Sequence, residues 1–103
     1  MDIIQDNKEI FDKFKALPKT EKVAIHKEAQ ELVDETIQEF VSVLDSAPCS
    51  SATRLAVLET VWGVKPNETF EEAMRDNSDF SKRYDLAVIA AIITIMKDKE
   101  AQP

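Results

Sequence analysis

Three features of the 103-residue sequence predict an all-α fold, a compact bundle of four to five helices. Apolar residues recur at helical spacing over long stretches, and Tyr84 to Met96 holds only one charged residue, Asp85. A single Gly and four Pro leave β-hairpins short of turn residues. Capping and stop signals also fall in the gaps between the periodic stretches.

The first predicted helix runs from Asp2 to Ala16. Ile3, Ile10, Phe14 and Leu17 form a narrow stripe that Ile4 and Phe11 widen, and Glu9 and Lys13 stand as a favourable i,i+4 pair. Pro18 interrupts, with Thr20 as the expected N-cap of a long second helix, Glu21 to Asp45. Its apolar face holds Ile25, Ala29, Leu32, Val33, Thr36, Ile37, Phe40, Val43 and Leu44. The short connection predicts a long antiparallel hairpin of the first two helices. Ser50 or Ser51 caps a third helix, Ala52 to Trp62, which buries Leu55, Leu58, Val61 and Trp62 and stops at Gly63 and Pro66. Thr69-Phe-Glu-Glu72 has the form of a capping box for a short fourth helix, Phe70 to Asp76, with Phe70, Ala73 and Met74 inward. After a break at residues 77–79, a fifth helix runs from Phe80 to Asp98 and Glu100 to Pro103 fray.

That last helix is apolar on every side, with Ala87, Ala90, Ala91 and Thr94 filling the face its bulky residues leave, so no side is left for water. Its uncharged run, 86–96, is well short of the roughly 18 residues a membrane span requires. It is therefore expected as the buried C-terminal helix around which the hairpin packs.

One helical domain, 1–103, is the expectation for this length, and such a chain buries roughly 65% of its unfolded surface without disulfide or metal. Cys49 is the only cysteine, and MDIIQDNKEIF lacks the pattern of a secretory signal, so a cytoplasmic protein is expected. The formal charge of −7 argues against direct nucleic-acid binding and against anionic membranes, and leaves basic protein surfaces open. No cofactor is called for.

The most unusual charge pattern is Glu28, Glu31, Glu35 and Glu39, with Asp34 beside them and Asp45 at the helix end; no Lys or Arg occurs between Lys27 and Arg54. Like charges at i,i+4 oppose the helix by about 0.2–0.5 kcal/mol each, and acids near its C-terminus oppose its dipole. The stripe is either a solvated surface or a docking face for a basic partner. Glu28, Glu31, Asp34, Glu35 and Glu39 are the candidate partner-binding residues; no catalytic or metal-binding residue is singled out. The function these features point to is a small acidic, non-enzymatic interaction or regulatory protein, an adaptor or inhibitor. Homodimerisation is the other use for so long an amphipathic helix.

Glu28-Ala-Gln-Glu31-Leu-Val-Asp34-Glu35 also resembles the first acidic motif of the MazG-like all-α nucleotide pyrophosphohydrolases. The resemblance covers about eight residues and implies, as the alternative, a divalent-metal-dependent hydrolase in which helical carboxylates hold Mg²⁺ against a pyrophosphate. The family's second motif, ExxD, has no counterpart, since Lys82 stands three before Asp85; a second copy would have to complete the site. The third and fourth helices are similar to a helix-turn-helix around Gly63-Val64, but FEEAMRD is too acidic for a major groove. His26 and Cys49 lack ligand or catalytic partners at motif spacing, Asn67-Glu-Thr69 is explained by helix capping rather than glycosylation, and Trp62 is expected in the core.

Overall fold

The computed structural model describes residues 3–101, with side chains from residue 5 onward. All regular structure among them is helical: α1 (Ile3–Asp6), α2 (Lys8–Lys15), α3 (Lys19–Ser46), α4 (Ser51–Trp62), α5 (Phe70–Asp76) and α6 (Ser78–Ala101). Two compact units share the chain, Met1–Glu35 with Ala87–Pro103, and Thr36–Leu86, their boundaries falling inside α3 and α6. The expected side-chain roles of Ile3 and Ile4, and the ends at Asp2 and Pro103, lie outside the described residues.

In the first unit the expected first helix is broken at Asn7, whose backbone leaves the helical region (φ −123°, ψ 30°). Asn is a weak helix former because its side chain competes for backbone partners, and a four-residue α1 is too short to resist. The chain then turns at Leu17, whose N–H donates to the Phe14 carbonyl at 3.1 Å. Helix α3 starts two residues earlier than expected: the Pro18 carbonyl accepts from the Lys22 N–H at 3.0 Å, so Thr20 lies in the first turn and is not the N-cap. Proline suits this position because its fixed φ is pre-set for a helix start and it has no N–H to leave unpaired.

The buried side chains of this unit are Phe14, Ile25, Ala29, Val33, Val88, Ile92, Ile93, Ile95 and Met96. The spacing of 25, 29 and 33 gives α3 one narrow inward ridge, and this explains why Leu32, expected on the apolar face, is 43% exposed. Phe11 and Phe14 stack at 6.0 Å between centroids, and the Lys15 ammonium lies 5.2 Å from the centre of the Phe11 ring. Two contacts tie the helices of the unit: Lys22 Nζ donates to the Lys15 carbonyl at 3.3 Å, and Lys13 Nζ meets Glu100 Oε1 at 2.7 Å.

Helix α6 is not apolar to every side in use. Leu86 is 51% exposed and Thr94 is exposed, its hydroxyl donating back to the Ala90 carbonyl at 3.0 Å. Along this side Ala90 is half-buried, and Ala90 and Thr94 lose little by meeting water, whereas Leu86 is a large apolar side chain left exposed; Val88, Ile92 and Met96 are buried.

In the second unit Ser50 caps α4, its Oγ accepting from the Thr53 N–H at 3.2 Å. No residue of α4 is fully buried; Arg54, Val57, Leu58 and Trp62 are half-buried, while Leu55 and Val61, expected inside, are exposed. Gly63 ends α4 in the left-handed region (φ 77°), as the sequence predicts. Thr69 caps α5 by accepting from the Glu72 N–H at 3.1 Å, and its hydroxyl lies 3.2 Å from Glu72 Oε1. Met74 on α5 and Val43 on α3, both expected inward, are exposed. The buried apolar side chains are Ile37, Val64, Ala73, Phe80 and Tyr84, with Phe80 at the centre of an aromatic cluster: Phe70 at 5.7 Å edge-on, Trp62 at 6.2 Å and Tyr84 at 6.4 Å.

The expected break at 77–79 contracts to Asn77 alone, and α6 begins at Ser78 rather than Phe80. Asn77 makes this tight junction possible. Its Oδ1 accepts from the Phe80 N–H at 3.0 Å as an N-cap, while Nδ2 donates to the Gly63 carbonyl at 2.9 Å and to Glu68 Oε1 at 2.8 Å. Nearby, Arg83 Nη1 donates to the Thr60 and Val61 carbonyls at 2.9 and 3.0 Å, satisfying the last turn of α4.

Candidate interaction surface

The candidate partner-binding residues of the sequence lie on α3. Its inward ridge fixes the rotation of the helix, and that rotation turns the acidic positions outward. Glu28, Glu31, Asp34 and Glu35 are all exposed in the first unit, and Glu39 is exposed in the second. From Glu28 to Glu35 the helix rises about 10 Å at 1.5 Å per residue. No basic residue stands in its last turn to offset the carbonyl end of the dipole. Of the expected stripe, Glu28, Glu31, Asp34 and Glu35 share the exposed side of α3 within the first unit, and Glu39 belongs to the second.

The stripe is not brought together as a metal site. Among the described residues no group of three or more His, Cys, Asp or Glu is placed to hold a metal ion. Carboxylates on one outward helix face diverge into solvent, whereas Mg²⁺ needs oxygens converging from facing elements. His26 is exposed, and Cys49 is a half-buried free thiol. Thr69 is a helix cap, in keeping with the capping explanation for Asn67-Glu-Thr69, and Asn67 itself takes a left-handed backbone (φ 71°). Trp62 is half-buried rather than central, with its indole N–H lacking a hydrogen-bond partner among the described residues.

A second surface was not anticipated. Phe14, Lys19, Lys22, Val23, His26, Lys27 and Gln30 line an open groove of roughly 700 Å³ in the first unit. Its signal is visible in the sequence as the concentration of Lys13, Lys15, Lys19, Lys22 and Lys27 against Glu21 alone, hidden by the −7 of the whole chain. No described helix is long and apolar enough to cross a membrane. Compared with protein-family models, curated proteins and solved structures, the chain matches none.

Proposed function

We propose that this chain is a small non-enzymatic interaction protein, an adaptor or inhibitor, that docks the acidic outward face of α3 on a basic partner surface. The observation that carries the proposal is that Glu28, Glu31, Asp34, Glu35 and Glu39 are all exposed, although their clustering weakens the helix that bears them. Such a charge pattern steers a cationic partner and fixes its register. In this proposal the chain is one helical domain, with α2 and α3 forming an antiparallel hairpin against α6; the Lys22–Lys15 and Lys13–Glu100 contacts support it. It acts in a reducing compartment such as the cytoplasm, where Cys49 stays a thiol.

The test is titration of a labelled Lys/Arg-rich helical peptide with the protein at low ionic strength. Saturable binding is expected, weakened at least about tenfold by Glu31→Lys, Glu35→Lys and Glu39→Lys together and by about 0.5 M salt. The exposed Leu32 and Val43 on α3 favour self-association as a second reading, and a mass of twice 11.6 kDa by light scattering would support it.

A further inference from the structure

The groove beside the start of α3 combines two features that the acidic face lacks. Its floor is apolar, from Phe14 and from Val23, which is 59% exposed on a helix that has a core to use. Its rim carries the cationic Lys19, Lys22 and Lys27 beside His26; among the described residues Lys19, His26 and Lys27 have no hydrogen-bond or ion-pair partner, while Lys22 spends one donor on the Lys15 carbonyl. We propose that this groove is a docking site for a short acidic amphipathic helix of a partner protein. Its carboxylates would meet Lys19, Lys22, His26 and Lys27 while an apolar side chain settles on Phe14 and Val23.

Charge complementarity chooses an acidic occupant, and the apolar floor chooses one with an anchor rather than a bare polyanion. Length chooses a short one. Lys19 to Gln30 spans about 17 Å, some three helical turns, and the carboxylates of Glu31 and Asp34 follow it along the helix. A DNA duplex or an anionic membrane would extend over those carboxylates and meet repulsion within about one Debye length. A peptide of three to four turns fits inside the cationic stretch. The site is distinct from the acidic face proposed above, so α3 would carry two partners of opposite charge.

The experiment uses the full chain and a fluorescein-labelled peptide of about fourteen residues, with Leu and Phe on one face flanked by Glu and Asp. Anisotropy should show saturable binding with a dissociation constant of about 10–100 µM at low salt. Lys19→Glu with Lys27→Glu, or Val23→Asp alone, should weaken it at least about tenfold, because each removes one of the two recognition elements. All three positions are exposed, and unchanged circular dichroism would verify that the variants fold. These variants keep the acidic face, so binding of the basic peptide should survive them; loss of one activity without the other separates the two proposals. Absence of saturation, equal affinity in the variants, or equal binding of duplex DNA or phosphatidylserine vesicles would overturn the assignment.

Discussion

Asn77 shows how one side chain sets a junction between helices. It is 9% exposed and satisfies three groups at once, the Phe80 N–H, the Gly63 carbonyl and Glu68. Asn77→Ala should destabilise the protein by about 2–3 kcal/mol, because a buried acceptor and donor lose their partner together; urea denaturation measures it. Gly63 is constrained twice over. Its φ of 77° lies in the left-handed region that favours glycine, and a Cβ there would stand 2.7 Å from Asp79 Oδ2 and 3.2 Å from Arg83 Nε. Gly63→Ala should therefore cost about 1–3 kcal/mol and disturb the Arg83 contacts to α4, readable in the same experiment and in Trp62 fluorescence. The stop at Gly63 was legible in the sequence, since Gly before Pro66 is a local signal. Asn77 was legible only as a break, because two of its three partners lie at sequence separations of 14 and 9.

The helices themselves were read well wherever local chemistry decides. Thr69 and Ser50 stand where capping preferences put them, and α5 has the expected bounds. The misreadings share a cause: periodicity says that a face is apolar but not how much of it finds a partner. Leu32, Val43, Leu55, Val61 and Met74 all sit at the margins of such faces and are exposed. The Lys13–Glu100 bridge joins α2 to α6 across 87 residues, which no local pattern reveals. Its hydrogen bond and attraction hold the Lys13 ammonium above its ordinary pKa of 10.5. A raised lysine pKa stabilises the fold below that ordinary value and ceases to do so as pH rises through the folded value, so Glu100→Gln should leave stability flat between pH 6 and about 9 and flatten its fall only in strong alkali. Both side chains are about half exposed, and salt should screen the pair; thermal melts in about 0.5 M NaCl should no longer distinguish the variant.

At the scale of the whole molecule, charge is the organising quantity. The net −7 suggested one acidic surface, and it concealed the reversal along α3, where lysines gather before residue 28 and carboxylates follow it. Net charge averages over opposite patches, and only their placement on a helix of fixed rotation separates them. If the chain is one cooperative domain, Trp62 fluorescence, which reports the second unit, and far-ultraviolet circular dichroism, which reports all helices, should give the same urea midpoint. Separate midpoints would mean that the two units unfold independently.

The acidic face of α3 as a docking surface is tested most directly by calorimetric titration of a Lys/Arg-rich helical peptide into the wild-type chain and into Glu31→Lys/Glu35→Lys/Glu39→Lys, at low salt. Saturable one-to-one binding to the wild type, lost at least about tenfold in the variant, is the expected result. Equal binding to both, or none to either, would contradict it.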